Sequence, residues 1–286
     1  MALRNERLAF IGCGAMAEAM IRGLLAKELV GPQQIVASNP REERGRELVD
    51  RYAIRATTSN QAAASSASIV ILAVKPQFFG EVVEDLASAL DPSTLVVTIV
   101  AGVKMQRVAD GLATPKVVRV MPNTPGQIGR GISVWTATGA VNDAEYDRTR
   151  AILSALGTEV YVTHEDELDM ATALSGTGPS YVFLFMEALV DAGVHMGFSR
   201  RVATRLVAET ILGSVEYAAS TTDHLAKLRN QVTSPGGTSA EAIYELERGR
   251  LRTVLTDAVW AAYRRSVQLG EMVGPDRSGN PGHGPK

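Results

Sequence analysis

Short apolar runs alternate with helical stretches along the first 163 residues of the chain. The runs predict strands over residues 8–11, 35–37, 68–74, 95–100, 117–121, 132–136 and 158–162. Runs such as 68–74 are apolar throughout and rich in Ile and Val, which is typical of strands buried on both faces. Strands that alternate with helices predict an α/β fold with a parallel, doubly wound sheet, whose ligands bind at the carboxyl ends of the strands.

The pattern changes after about residue 164, and no convincing strand is found from there to residue 270. Residues 181–192 are apolar on nearly every helical face, residues 200–219 are amphipathic, and residues 252–269 form a long final helix. A helix that is apolar on most faces is buried, either in its own domain or in a partner. Because about a hundred residues of helix bury little surface by themselves, we expect this all-α part to form a two-fold homodimer.

Composition narrows the class of protein. The formal net charge of the 286 residues is −2, and mixed charges without a basic stripe argue against a nucleic-acid partner. The single cysteine, Cys13, excludes an internal disulfide framework and favours a reducing compartment. The N-terminus does not have the pattern of a signal peptide, and residues 181–196 are too short to span a bilayer. We therefore expect a cytoplasmic protein with neither a membrane nor a nucleic-acid partner.

A glycine motif, Gly12-Cys13-Gly14-Ala15-Met16-Ala17, follows the first predicted strand and opens a helix. In dinucleotide-binding proteins the first glycine permits a tight turn, the second lets the backbone approach the pyrophosphate, and a small third residue lets the helix pack closely. The alternative is an ordinary glycine turn between a strand and a helix. The α/β pattern beyond the motif favours a dinucleotide site.

The end of the second strand selects between two cofactors. NAD-preferring sites usually place an acid there, whereas the segment 37–41 reads Ala-Ser-Asn-Pro-Arg. Arg41 and Arg44 suit a 2′-phosphate, so NADPH is favoured, with NADH as the alternative; both arginines are otherwise surface residues of a charged helix. Lys75, which follows a buried strand, is interpreted equally well as a phosphate or ribose ligand and as an exposed strand end.

A second pattern typical of anion binding covers residues 232–241, Val-Thr-Ser-Pro-Gly-Gly-Thr-Ser-Ala-Glu. Thr238 and Glu241 match a capping box, with Thr238 or Ser239 as the N-cap. A glycine turn that feeds a helix presents unpaired N–H groups, which suit a carboxylate or a phosphate. Two such turns in one chain predict a dinucleotide and a small acid brought together.

Other catalytic chemistry finds little support. None of the four histidines, His164, His195, His224 and His283, lies in a motif for metal binding or nucleophilic catalysis, and no metal site is predicted. Reduction of an imine requires neither a metal ion nor a catalytic nucleophile, because a protonated C=N is already electrophilic and a nicotinamide supplies the hydride. Positioning by a carboxylate anchor and one hydroxyl near the nitrogen is sufficient.

Six segments resemble the Δ1-pyrroline-5-carboxylate reductase family, in family order. They are residues 10–17, 73–77, 101–103, 119–125, 174–181 and 232–239, of which the last is the most specific. The resemblance implies an N-terminal Rossmann-like, NADP-binding domain (1–163) and a helical dimerisation and substrate domain (164–272), in a homodimer that can assemble further into a decamer. The polar, Gly/Pro-rich residues 273–286 are expected to form a disordered tail.

The resemblance also implies functional residues. Cofactor contacts map onto Ile11, Gly12, Cys13, Gly14, Ala15, Met16, Asn39, Arg41, Asn60, Val74, Lys75 and Ala101, and Gln231 stands where some members have an asparagine. Binding of the substrate carboxylate maps onto Gly236, Gly237, Thr238 and Ser239. Many members read Gly-Gly-x-Thr, so Ser239 takes the place of the family's threonine, and its hydroxyl is the expected catalytic group.

The reaction that these features imply is NADPH-dependent reduction of Δ1-pyrroline-5-carboxylate to L-proline, the last step of proline biosynthesis. The nearest alternative is an NADP-dependent reductase of another cyclic imine or of a small carbonyl acid. A relative of the β-hydroxyacid dehydrogenases would carry a catalytic lysine on the long helix, and residues 181–192 contain none. An alternative from another class is a non-catalytic NADP-binding sensor, which would not need the acid site at 232–239.

Overall fold

The computed structural model describes residues 2–272, and these divide into two compact units. The first unit comprises the described residues up to 177 together with 262–272, and the second comprises residues 178–261. The predicted tail, 273–286, lies outside the described residues.

An eight-stranded sheet organises the first unit. Its strands are β1 (Leu8–Ile11), β2 (Ile35–Ser38), β3 (Arg55–Thr57), β4 (Ile69–Leu72), β5 (Leu95–Thr98), β6 (Val117–Met121), β7 (Gly131–Ala137) and β8 (Gly157–Tyr161). They lie in the order β3-β2-β1-β4-β5-β6-β7-β8, and the first six in this order are parallel. The doubly wound α/β sheet expected from the sequence is confirmed, with the short β3 as an addition that the apolar pattern did not predict.

One edge of the sheet departs from the expected parallel arrangement. β7 runs antiparallel to β6, and β8 runs parallel to β7. Residues 122–130 connect β6 to β7, and a connection of this length is too short for the crossover that a parallel pair requires. The expectation of a wholly parallel sheet is therefore wrong at this edge.

Helices cover both faces of the sheet. They are α1 (Ala15–Ala26), α2 (Glu42–Tyr52), α3 (Asn60–Ala64), α4 (Phe79–Leu86), α5 (Met105–Leu112), α6 (Asp143–Ser154) and α7 (Glu167–Ala171). In β1, Leu8 and Phe10 pack with α1, α2 and α6, whereas Ala9 and Ile11 pack with α3, α4 and α5. Because alternate residues of a strand point to opposite faces, a continuous apolar run packs into the apolar cores on both sides of the sheet.

The second unit is built from helices. They are α8 (Gly178–His195), α9 (Arg200–Ala219), α10 (Leu225–Gln231), α11 (Thr238–Arg248) and α12 (Leu251–Met272), of which α12 continues into the first unit. α8 packs against α9, but within 181–192 only Val190 is buried, and Phe183 and Leu184 expose 62% and 68% of their surface. Among residues 2–272, nothing covers most of the apolar surface of α8.

Residues 164–177 belong to the same compact unit as the sheet. Arg119 of β6 forms a buried ion pair with Asp169 of α7 over 3.4 Å, and the hydroxyl of Ser266 in α12 donates to the same carboxylate over 2.8 Å. Buried charges need such partners. The compact units therefore divide after residue 177, whereas the limits 1–163 and 164–272, which describe a change of sequence pattern, stay a prediction.

Candidate functional site

The first candidate site lies where the chain leaves β1, at the carboxyl end of the sheet. Gly12 has a φ of +85°, and a Cβ atom there would lie 2.6 Å from Cγ1 of Val74, so a larger residue does not fit. The N–H of Gly12 donates to the carbonyl of Ser38 over 3.0 Å, which ties the turn to β2. Gly14, the N-cap of α1, faces open space. The turn is held on one side and accessible on the other.

The N-terminus of α1 suits an anion. Ser59, Asn142 and Ser199 each cap their own helices by accepting a hydrogen bond from a first-turn N–H, whereas α1 begins on a glycine without a side-chain cap. The N–H groups of Ala15 and Met16 therefore lack an acceptor from the helix. A pyrophosphate supplies that acceptor and is favoured by the positive end of the helix dipole. The donor set of this turn fits a dinucleotide.

A cleft of about 710 Å³ opens beside the turn. The predicted cofactor residues that line it are Gly12, Cys13, Gly14, Asn39, Arg41, Asn60, Val74 and Lys75. The structure thus brings the ends of β1, β2 and β4 to one place. The other predicted contacts in this unit are not among the lining residues: Ile11 ends β1, Ala15 and Met16 begin α1, and Ala101 follows β5. Contact of any of them with a cofactor stays a prediction.

The two arginines that follow β2 have different surroundings. The side chain of Arg41, the N-cap of α2, is exposed and lines the cleft. The guanidinium of Arg44 is instead bound on three sides: its Nε donates to the carbonyl of Cys13 over 3.0 Å, Nη1 donates to Glu47 over 2.8 Å, and Nη2 pairs with Glu18. The expectation that Arg44 shares a 2′-phosphate with Arg41 is not supported, because each of its three nitrogens already binds an acceptor of the protein and only 16% of the side chain is exposed.

The thiol of Cys13 brings no charge to the turn. Burial raises its pKa to about 12, an effect that the nearby Arg44 only partly offsets. The thiol is consequently protonated at neutral pH and does not repel a bound phosphate. A buried, protonated thiol is also a poor nucleophile, so Cys13 serves as a small packing residue here.

The second candidate site is the glycine turn before α11. Gly236 has a φ of +68°, which glycine adopts without strain, and the N–H of Gly237 donates to the carbonyl of Ser234 over 3.0 Å. Gly237 is the N-cap of α11, without a side-chain cap, and its carbonyl accepts from the N–H of Glu241. The predicted capping box, with Thr238 or Ser239 as N-cap, is therefore wrong by one or two positions.

With Gly237 as the N-cap, the first N–H groups of α11 are available to bind a carboxylate. Thr238 and Ser239 become the first two residues of α11, so their N–H groups have no acceptor within the helix. The Ser239 side chain is half-buried, and its hydroxyl makes no hydrogen bond within residues 2–272. Gln231 ends α10 in the same unit, whereas the other predicted cofactor residues belong to the first unit.

The sequence patterns did not single out Phe78, which lines the cleft, or Ser38, which lies behind its lining residue Asn60. Ser38 is buried at the end of β2, and its hydroxyl donates to Oδ1 of Asn60 over 2.6 Å. Phe78 lines the cleft with 49% of its surface exposed, beside the fully buried Phe79. The one available signal was position, because both residues lie within a few residues of a strand end. Sequence alone does not separate an aromatic residue of the core from its exposed neighbour.

Across residues 2–272, no group of three or more His, Cys, Asp and Glu side chains is placed to hold a metal ion. In the same range, no helix is both long enough and apolar enough to cross a membrane.

The glycine turn, the cleft and the doubly wound sheet define a dinucleotide-binding α/β protein with a helical second unit. Two family models match it. One is described as pyrroline-5-carboxylate reductase dimerisation and matches residues 165–269. The other is described as NADP oxidoreductase, coenzyme F420-dependent, and matches residues 7–102.

Individual relatives cover almost the whole chain. It is 40% identical over 273 residues to the pyrroline-5-carboxylate reductase of Pseudomonas aeruginosa (95% of this chain, 100% of that protein) and 39% identical over 265 residues to that of Synechocystis sp. (93% and 98%). The structure of Plasmodium falciparum pyrroline carboxylate reductase with NADP bound matches with a TM-score of 0.85 at 31% identity, covering 93% of this chain and 98% of that one. The chain belongs to the pyrroline-5-carboxylate reductase family, which confirms the resemblance and its oxidoreductase class.

Proposed function

We propose that this chain reduces Δ1-pyrroline-5-carboxylate to L-proline with NADPH, the last step of proline biosynthesis. The observation that carries the proposal is the pair of helices α1 and α11, which both begin at a glycine turn and lack a side-chain cap. One start suits a pyrophosphate and the other a carboxylate. The names of the relatives, and the NADP in the Plasmodium structure, support the same reaction.

The residues of the second turn anchor and protonate the substrate. The N–H groups of Thr238 and Ser239, with the flexible Gly236 and Gly237 beside them, bind the carboxylate of the pyrroline ring. The hydroxyl of Ser239 is unengaged within the described chain and donates a proton to the ring nitrogen, for which water is the alternative donor. When bound, NADPH supplies the hydride that reduces the imine carbon. This placement of the acid and the hydroxyl is the part of the catalysis that the protein contributes.

The residues of the first turn select the cofactor. Gly12–Met16 binds the pyrophosphate, and the other proposed cofactor contacts are Asn60, Val74, Lys75, Ala101 and Gln231. Asn39 and Arg41 bind the ribose and the 2′-phosphate, since no acid stands at the end of β2. NADPH is therefore preferred over NADH.

The reaction is tested by following NADPH absorbance with the purified chain. Oxidation of NADPH that depends on pyrroline-5-carboxylate, with stoichiometric proline, is the expected result. Cyclic imines without the carboxylate, and small keto acids, are the comparison substrates, because they lack one of the two groups that the site recognises. Binding of NADPH without turnover of any of these substrates would indicate the sensor instead, and faster turnover of an uncharged imine would indicate a different reductase.

The quaternary structure forms part of the same proposal. The match to a dimerisation model and the exposed Phe183 and Leu184 of α8 support a homodimer through the helical unit, with a decamer as the larger assembly. Light scattering coupled to size-exclusion chromatography measures the assembly directly. A monomer at micromolar concentration would contradict it.

The expected location is the cytoplasm, supported by the unpaired, buried Cys13. Cell fractionation with an antibody to the chain tests the location.

A further inference from the structure

Arg44 connects the two segments that border the cofactor cleft. It lies in the first turn of α2, which follows the loop that carries Asn39 and Arg41 in the sequence. Its Nε donates to the carbonyl of Cys13, inside the glycine turn, over 3.0 Å. One side chain therefore holds the pyrophosphate turn and the segment after β2 in a defined relation.

The same guanidinium neutralises a carboxylate close to the pyrophosphate turn. Glu18 lies in the first turn of α1, with only 14% of its side chain exposed, and pairs with Nη2 of Arg44. Arg51 and the hydroxyl of Tyr52 also donate to it, the latter over 2.9 Å. Without Arg44, part of this negative charge would be uncompensated near the start of α1, where a pyrophosphate binds, and like charges repel.

The guanidinium of Arg44 already binds three acceptors of the protein. Nε, Nη1 and Nη2 each have a partner on the protein, and the fixed fork of an arginine side chain keeps them aligned. Only 16% of the side chain is exposed. Arg41, by contrast, is exposed on the wall of the cleft.

We propose that Arg44 is a positioning residue of the NADP site, which holds the Gly12–Ala15 turn through Cys13 and neutralises Glu18, and that of the two arginines Arg41, and not Arg44, recognises the 2′-phosphate. This inference rests on the proposed use of NADPH. It separates two arginines that the sequence places three residues apart and that look equivalent there. The pyrophosphate is common to NADPH and NADH, whereas the 2′-phosphate is not, so the two roles have different signatures.

Binding of the two nucleotides to the enzyme without substrate tests this division, by isothermal titration calorimetry. In Arg44→Met, both dissociation constants are expected to rise by about five- to tenfold, so that their ratio stays within about twofold of the wild-type ratio. In Arg41→Met, the constant for NADPH is expected to rise by about tenfold or more and that for NADH by less than about twofold.

A second pair of variants separates positioning from a general loss of stability. Adding Glu18→Gln to Arg44→Met removes the uncompensated carboxylate and is expected to recover at least about half of the lost affinity on a logarithmic scale. Arg44→Lys keeps the charge but cannot reach three partners at once. It is therefore expected to weaken the binding of both nucleotides, but by less than Arg44→Met does. Because Arg44→Lys retains the ion pair, it provides a folded variant if Arg44→Met does not fold.

The outcomes separate this inference from the proposed function. A selective loss of NADPH affinity in Arg44→Met or Arg44→Lys would assign Arg44 to the 2′-phosphate and overturn the inference. Unchanged affinity for both nucleotides in a folded variant would also overturn it, because the turn would then not depend on Arg44. A wild-type enzyme that binds neither nucleotide would instead overturn the proposed use of NADPH.

Discussion

The hydroxyl of Ser38 donates a 2.6 Å hydrogen bond to Oδ1 of Asn60 at the end of the second strand. Ser38 is fully buried, and it occupies the end of the strand where NAD-preferring proteins usually have an acid. The hydroxyl directs the amide of Asn60, which lines the cofactor cleft. The buried residue therefore acts on the site through the orientation of its neighbour.

Replacing Ser38 with Ala should weaken NADPH binding. A net hydrogen bond is worth about 0.5–1.5 kcal/mol, so the dissociation constant is expected to rise about two- to tenfold. Ser133→Ala is a matched control, because Ser133 is also buried in the sheet, and its hydroxyl has no partner among residues 2–272. That control is expected to leave binding unchanged. Equal affinities in both variants would show that Asn60 does not need Ser38.

Ser239→Ala should impair turnover more than stability. If the hydroxyl donates a proton, kcat/KM is expected to fall about tenfold or more, whereas Gly237 remains the N-cap and the free energy of unfolding changes by less than about 0.5 kcal/mol. Thr238→Ala, one residue earlier and more exposed, is the control. A fall in kcat/KM of less than about threefold, or 0.7 kcal/mol, would remove Ser239 from the catalytic role.

Gly270→Ala should destabilise the protein and weaken cofactor binding together. A Cβ atom at position 270 would lie 2.7 Å from the carbonyl oxygen of Gly102, in the loop that carries Ala101. Overpacking of this kind costs about 1–3 kcal/mol, measured by denaturant unfolding. Gly213→Ala is the matched control, because its Cβ would meet no atom within 4 Å inside helix α9, and it is expected to stabilise by about 0.5–1 kcal/mol. Equal stability of the two variants would contradict the close contact.

The ion-pair network of Glu18 should make the free energy of unfolding depend on pH in the acidic range. Partial burial raises the pKa of this carboxyl group, but hydrogen bonds from Arg44, Tyr52 and Arg51 outweigh it and lower the pKa from 4.5 to about 2. A lowered pKa stabilises the folded state fully above about pH 4.5, and this contribution is lost as the pH falls towards 2.

Unfolding by urea between about pH 6 and pH 3 measures this contribution. Over this range the wild type is expected to lose more stability than Glu18→Gln, which has no carboxyl group to protonate there. Glu42→Gln, which removes an exposed partner of Arg46, is the control and should follow the wild type. Parallel curves for wild type and Glu18→Gln would show that the network does not stabilise the fold.

Much of the site was predictable because parallel strands end at a common edge. Gly12, Asn39 and Lys75 follow three separate apolar runs, and in the structure all three line one cleft. The roles of Arg41 and Arg44 were not separable in this way. Their difference depends on Glu18, which lies 26 residues before Arg44 in the chain. A local sequence pattern does not predict a partner at that separation.

Sequence by itself determined the type and approximate limits of the main elements, since continuous apolar runs and helical periodicity reflect local backbone geometry and burial; the predicted helix 200–219 coincides with α9. Only the tertiary structure decided the direction of β7, the N-cap at Gly237 and the partners of Arg44. The first follows from the length of a connection and the second from the dihedral angles of a turn. The third follows from side chains that meet only after the sheet and its helices have packed.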